Sequence, residues 1–276
     1  MSRPEHISPP EIYYDEKEAA KYNSSSRIVK VQQELSNRAI ELLNLPEGKE
    51  AFILDVGCGS GLSGVALEEH GHAWVGVDIS KDMLDIASER DSSGDVFLQD
   101  MGGGLPFRPG VFDGCISISA IQWLCYSDKK EHTARKRLTR FFTSLYTCLK
   151  AGSRAVLQLY PETPEQMEEI SGTAMRCGFS GGLVIDFPNS TKAKKFYLCL
   201  FAGYMEPQKV PQGLGTATNE VSYEGRGKNQ RQRRGKGRDS IKGKDWVLAK
   251  KERYRKQGKK VKADSKFTGR KRPGKF

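Results

Sequence analysis

Residues 53–61 read Ile53-Leu54-Asp55-Val56-Gly57-Cys58-Gly59-Ser60-Gly61, and seventeen positions after Gly61 a second apolar run, Val75-Gly76-Val77, ends in Asp78-Ile79-Ser80. Ala51 to Val56 is a compact apolar run bounded by turn signals, which predicts a short buried strand. Gly57, Gly59 and Gly61 predict a turn where side chains would obstruct, because glycine accepts positive φ and lets a ligand approach the backbone. Leu62 to His70 predicts the helix that follows, and Ala73 to Val77 the next strand. In an open α/β sheet a ligand sits beyond the carboxyl ends of the strands, near the switch in strand order. A carboxylate at Asp78, with Ile79 beside it, stands there to accept both hydroxyls of a ribose.

Two nucleotide chemistries compete for this pattern. The dinucleotide fingerprint is G-x-G-x-x-G, and its third glycine belongs one position after Gly61, where Leu62 stands. Asp55, ahead of the first glycine, disfavours a pyrophosphate and suits an ammonium, directly or through water. A tight strand-to-helix turn without ligand is the third alternative, and two acid-ended strands at this spacing argue against it. The segment resembles the cofactor crevice of the class I S-adenosylmethionine-dependent methyltransferases. That resemblance implies an α/β, Rossmann-like fold, with a seven-stranded, mostly parallel sheet and helices on both faces. Asp95 to Gln99 predicts a third strand ending at Asp100-Met101, where the resemblance implies an acid on the adenine amino group and a residue packed on the ring. Phe112 to Ser119 predicts a fourth strand, delivering Ser119 and Trp123 beneath the sulfonium. Trp123 equally suits a core aromatic that caps the sheet.

The length of 276 residues accommodates one sizeable α/β domain with extensions. Six cysteines are scattered without a C-x-x-C pair, and none of the four histidines lies near them at ligand spacing. This pattern predicts neither a metal site nor a disulfide framework, and it suits a reducing compartment. Met1 to Pro10 is polar and proline-rich, unlike a signal peptide. No apolar stretch approaches a membrane span, so no membrane partner is expected. Charge divides sharply along the chain. Residues 1–204 carry 22 Lys+Arg and 27 Asp+Glu, a net of −5, whereas residues 205–276 carry 23 and 7, a net of +16.

Three regions follow: an N-terminal arm and helical lid over 1–48, a core over 49–204, and a basic, largely disordered tail over 205–276. Residues 1–11 read as disordered. Asp15 to Tyr22 reads as a short helix with an acidic first turn, and Ile28 to Leu43 carries apolar residues at helical period. Ser80 suits the N-cap of a helix over Lys81 to Arg90. Further helices are predicted over Lys129–Leu149 and Thr163–Cys177, and a strand over Ser153–Tyr160. The last two strands, Gly182–Phe187 and Lys195–Phe201, are joined by a connector too short for a helical crossover, which predicts an antiparallel pair. The helices ahead of the core resemble the lid of class I enzymes. By that resemblance Tyr14, Tyr22 and Arg27 close over the cofactor, Arg27 meeting its carboxylate; alternatively the tyrosines staple the helices to the sheet. In the tail, Asp245 to Lys256 reads as a short basic helix. Its cations attract nucleic-acid phosphates, with Trp246 and Tyr254 available to stack on bases. The clusters at 231–234 and 270–272 suit nuclear import; a solvated solubility tail is the alternative.

Longer motifs narrow the resemblance. Tyr13-Tyr14-Asp15-Glu16, Trp74 to Ser80, Cys115 to Cys125, Ala155 to Glu162, Ala193 to Leu200, Trp246-Val247-Leu248 and Gly269-Arg270-Lys271-Arg272 together resemble the eukaryotic family that methylates guanine N7 in 18S rRNA. This implies S-adenosylmethionine as cofactor and 18S rRNA within the pre-40S particle as partner. It also implies action in nucleus, nucleolus and nucleoplasm, with some in the cytoplasm, and a part as an assembly and export factor. The family further implies a small zinc-binding activator protein that extends the sheet at an edge strand near Val96–Gln99. Guanine N7 has a free lone pair at neutral pH, so no general base is required. Trp123, Tyr160 and Glu162, at the predicted mouth, are the candidates for holding the base. A methyltransferase acting on a protein or small molecule, its tail serving localisation, is the competing function.

Overall fold

A computed structural model describes residues 3–90, 92–126, 133–203, 211–215, 248, 250–252, 254–255 and 260–264. The chain forms two compact units, Met1–Thr218 and Asn219–Phe276. The first is built on a seven-stranded sheet in the order β3-β2-β1-β4-β5-β7-β6. Its strands are β1 (Phe52–Val56), β2 (Ala73–Asp78), β3 (Asp95–Leu98), β4 (Phe112–Ile118), β5 (Leu149–Leu159), β6 (Ser180–Asp186) and β7 (Lys195–Phe201). The pairs β1–β2, β2–β3, β1–β4 and β4–β5 are parallel, and β7 runs antiparallel to both β5 and β6. The chain steps outward from β1 to β3, then returns to lay β4 on the other side of β1. The switch in strand order therefore falls between β1 and β4, where such sheets bind ligands.

Helices cover both faces, which is why β1 and β4 are almost wholly apolar. Alternate strand residues face opposite layers. Leu54, Val56 and Cys115 join Leu138, Phe141, Phe142 and Leu145 of α6 (Ala134–Cys148) and Ile170 and Ala174 of α7 (Pro164–Arg176). Ile53, Ile116 and Ile118 join Leu35, Ala39 and Leu43 of α3 (Ser26–Leu43), Leu67 of α4 (Leu62–Glu69) and Leu84 of α5 (Lys81–Ser88). Each fully buried leucine or phenylalanine contributes roughly 1.5–3 kcal/mol. Ser80 caps α5, its Oγ accepting the Met83 N–H at 3.2 Å.

The N-terminus departs from expectation. Residues 1–11 read as disordered, yet Pro4–His6 forms a 3-10 turn and Pro10–Tyr13 forms α1, ahead of α2 (Glu16–Ser24). The cause is remote: the Arg3 guanidinium donates to the carbonyls of Tyr160 and Pro161 at 2.9 and 3.0 Å, and Glu5 is buried. Strand β5 begins at Leu149 rather than Ser153, because Leu149 pairs with Phe112. The helix expected from Lys129 begins at Ala134; residues 127–132 lie outside the described set.

The two edges of the sheet differ. Residues 211–215, beyond the expected end of the core at 204, meet β6 at its carboxyl end. Leu214 N–H donates to Asp186 Oδ1 at 2.7 Å and its carbonyl accepts from Phe187 N–H at 2.6 Å. Arg38 binds this corner, pairing with Asp186 at 2.9 Å and donating to the Gln212 carbonyl at 3.2 Å. At the other edge, β3 exposes Phe97 (50%) and Leu98 (61%). In the tail unit, residues 248, 250–252 and 254–255 are helical within the span predicted as a helix, and Lys251 and Arg255 pair with Asp264 at 2.8 and 2.6 Å. Much of the region expected to be disordered lies outside the described residues.

Arg38→Ala strands the carboxylate of Asp186, whose residue is 2% exposed. Denaturant unfolding of the variant is expected to show a loss of about 3–5 kcal/mol; a loss below about 1 kcal/mol, the range of exposed pairs, would contradict a desolvated pair.

Candidate active site

The turn after β1 is tied to β2 before any ligand is considered. The N–H groups of Gly57 and Cys58 both donate to the Val77 carbonyl, at 2.8 and 3.2 Å. Gly57 has φ +76°, and a Cβ there would lie 2.3 Å from the Ala120 Cβ. Its side chain is thus excluded by the loop after β4 as well as by backbone conformation. Gly61, at φ +78°, opens α4. It shapes the turn but does not line the cleft. Gly59 does line it, and its N–H donates to Asp78 Oδ2 at 2.9 Å while Ser80 N–H donates to Oδ1 at 2.9 Å. Each carboxylate oxygen has a second lone pair, which matches a vicinal diol. Burial raises the Asp78 pKa above the ordinary carboxylate value, and the backbone donors oppose that shift.

An open cleft of ≈ 870 Å³, counting its solvent-facing mouth, gathers most of the candidates. Gly57, Gly59, Asp78, Ile79, Asp100, Met101, Ser119, Trp123, Tyr14 and Tyr22 all line it. Asp100 uses Oδ1 to accept from Arg137 and from Gly102 N–H, both at 2.8 Å. Tyr14 and Tyr22 meet edge to face at 6.1 Å, and burial pushes both phenols up. The lid is fastened from below. Tyr14's carbonyl accepts Ser80 Oγ at 2.8 Å, and Arg90 joins Asn23 of α2 to the Ser60 carbonyl of the glycine turn.

Ser119 sits at φ +56°, unusual for a non-glycine residue. Three hydrogen bonds hold it there. Its N–H donates to the Gln158 carbonyl at 3.0 Å, its Oγ to Gln158 Oε1 at 2.6 Å, and its carbonyl accepts Gln122 Nε2 at 2.9 Å. Such over-determined strain clusters at functional sites. The 3-10 turn Ile121–Cys125 that follows carries Trp123 into the cleft wall. Trp123 is 6% exposed and lies 6.1 and 6.0 Å from the rings of Tyr13 and Tyr14, so it both caps the core and faces the cleft.

Besides Gly61, four candidates lie outside the lining. Asp55 is fully buried within β1, accepting Ser63 Oγ at 2.5 Å through Oδ2. Its Oδ1 is a buried acceptor with no partner among the described residues. Arg27 is exposed at the start of α3. Tyr160 gives its carbonyl to Arg3 and has the Lys195 ammonium 5.2 Å over its ring. Glu162 accepts from Tyr126 Oη at 2.7 Å and pairs with His6 at 3.1 Å, bonds that lower its pKa. Both belong to the anchorage of the N-terminal arm. Pro10 and Gln32, lining residues that the sequence reading missed, carry no local signal; they reach the cleft because the arm and α3 fold over it.

The family described as "Methyltransferase domain" matches residues 54–157, and that described as "Methyltransferase involved in Williams-Beuren syndrome" matches residues 200–274. The Mus musculus 18S rRNA (guanine-N(7))-methyltransferase is 54% identical over 277 residues, covering 99% of this chain and 98% of its own. The Saccharomyces cerevisiae 18S rRNA (guanine(1575)-N(7))-methyltransferase is 48% identical over 277 residues, covering both chains completely. The chain belongs to the 18S rRNA (guanine-N7)-methyltransferase family. A TehB-like SAM-dependent methyltransferase from Corynebacterium glutamicum shares the fold of this family member at 18% identity, with a TM-score of 0.50 over 69% of this chain and 100% of its own.

The cofactor of this methyltransferase family is S-adenosylmethionine, which supplies an electrophilic methyl group. The cleft has the groups to hold it. Asp78 would accept the ribose diol and Asp100 an amino group beside Met101, while behind the lining the partnerless Asp55 Oδ1 would accept a water or ammonium.

Burial is the largest cause raising Asp55 to about 7. The folded, uncomplexed protein therefore binds this proton more tightly than the unfolded chain does. The group's contribution to stability is present in acid and is lost as pH rises from 3.8 to about 7. An ammonium near Oδ1 favours the anion and reverses the sign for binding. Cofactor affinity is expected to rise with pH up to about 7 and then level, and Asp55→Asn to remove that rise; calorimetry between pH 6 and 8 reads both. A wild-type profile matching that of the variant would contradict the assignment.

Proposed function

We propose that the chain transfers the methyl group of S-adenosylmethionine to N7 of a guanosine in 18S rRNA. Full-length identity of 54% and 48% to enzymes named for that reaction carries the reading. The chemistry of the cleft agrees with it. Guanine N7 presents an unprotonated lone pair in line with the departing sulfur, so no base must remove a proton. Among the described residues, no histidine or lysine lines the cleft. Rate enhancement then comes from alignment and desolvation of two bound reactants. In this reading Asp78 and Ile79 hold the ribose, Asp100 and Met101 the adenine, and Asp55 with the glycine turn the methionine end. Tyr14 and Tyr22 close the lid. Ser119 and Trp123 form the wall at which the base arrives, unstacked from its strand. Arg27 remains the candidate partner of the cofactor's carboxylate if the start of α3 moves inward. Tyr160 and Glu162 act at the mouth through the arm they hold.

The partner reading follows from the sheet edges. Among the described residues β3 ends the sheet with Phe97 and Leu98 exposed and its outer backbone groups open to a further strand, whereas the carboxyl end of β6 is met by residues 211–215. A small zinc-binding activator that adds a strand to β3 satisfies both features. The basic tail suits counterion release on RNA and nuclear import, in keeping with work on the pre-40S particle in nucleus and nucleolus.

Mapping N7-methylguanosine in 18S rRNA tests the reaction. Cells lacking the protein are expected to lose one modified guanosine, restored by the wild type and not by Asp78→Ala; an unchanged map would remove the reading. For the partner, Phe97→Asp is expected to abolish co-purification of the activator while wild-type cofactor residues are retained. Undiminished co-purification would place the interface elsewhere.

A further inference from the structure

We propose that Lys192, Lys194 and Lys195 form a phosphate-contacting rim for the RNA strand that presents the target base; the proposal rests on the rRNA reading above. The argument begins with topology. Strand β7 is antiparallel to β5, and its start is paired with the end of β5, Phe196 opposite Leu159. The β6–β7 connector therefore lands at the same end of the sheet as Asp78 and Ser119. A parallel β7 would have put these lysines at the opposite end.

The connector is also held in shape. Ser190 accepts the Lys194 N–H on its carbonyl at 3.1 Å and the Ala193 N–H on its Oγ at 3.0 Å. Lys192 is exposed and the other two lysines are half-buried. The Lys194 ammonium lies 5.9 Å over the Phe196 ring, and that of Lys195 lies 5.2 Å over Tyr160. Among the described residues no carboxylate pairs with any of the three, although Lys21, Lys81 and Lys150 are each paired. Three cations in four positions thus stand unneutralised on a region, residues 1–204, whose net charge is −5.

Tyr160 gains a different part from this placement. N7-methylation makes the base cationic, and a ring already faced by an ammonium is a poor platform for a second cation. The same ring orients Lys195 well, and a lysine ammonium is a point charge suited to phosphate. Helix α6 starts at this end too, with Arg135 and Lys136 exposed in a first turn that contains no acid. The helix dipole disfavours cations there, and a polyanion nearby offsets that cost.

The test uses the full chain and a short guanosine-containing 18S rRNA hairpin, with affinity read against salt. The Lys192→Ala/Lys194→Ala/Lys195→Ala variant is expected to lower the slope of log K against log salt by about 2, at roughly 0.7–0.9 per phosphate contact. Its KM for RNA should rise at least severalfold, while cofactor affinity and melting temperature stay at wild-type values. The corresponding Lys→Arg variant should retain RNA binding. Wild-type slope and KM in the alanine variant would overturn the rim. So would an equal loss in Lys17→Ala/Lys30→Ala/Lys49→Ala, which removes the same charge elsewhere. Failure of the wild type itself to bind or methylate RNA would instead overturn the rRNA reading, and the rim with it.

Discussion

The carboxylate of Asp78 joins the two halves of the cleft. It accepts the N–H of Gly59, in the turn after β1, and the N–H of Ser80, which caps α5. Those two donors fix the direction of the carboxylate and oppose its desolvation. Without it, the glycine turn and the end of β2 would face each other as open backbone, and α5 would start without its brace. The second constraint on the same turn is steric, because the space that a Gly57 side chain would need is filled by Ala120. The loops after β1, β2 and β4 are therefore shaped against one another, and the cleft is largely formed before anything enters it.

The closure of that cleft comes from the N-terminal end of the first unit. The N-terminal arm crosses to the end of β5 through Arg3 and His6, and brings Pro10 and Tyr14 over the glycine turn. At the far edge of the sheet residues 211–215 meet the carboxyl end of β6, where Arg38 pairs with Asp186. Among the described residues, the β3 edge is met by no such segment. This asymmetry explains why an exposed Phe97 and Leu98 occur in a chain whose other large apolar side chains are mostly buried. An isolated exposed leucine needs no explanation, but two adjacent apolar residues on an edge strand do.

What was legible in the sequence was what is encoded locally. The strand–turn–helix of 52–69 could be read because apolar run, glycines and acid lie within a few residues of one another. The antiparallel β6–β7 pair could be read because its connector is too short for any other path. What escaped depends on partners far along the chain. The order of the arm has no local signature, because it comes from Tyr160, Pro161 and Glu162, more than 150 positions away. The same remoteness hides the neighbours of Glu162, since His6 and Tyr126 bond its carboxylate. Ser119 was picked out by position alone. Its left-handed backbone and its Gln158 bond have no signature in a linear pattern.

The central claim is that the cleft between β1, β2 and β4 holds the methyl donor through Asp78. Titration calorimetry of S-adenosylmethionine into the full chain, with its activator present, tests it most directly. The account predicts one site per chain in the wild type and no measurable heat of binding in Asp78→Ala, whose melting temperature falls while circular dichroism shows the sheet still folded. Equal binding by the two proteins, or none by the wild type, would contradict it.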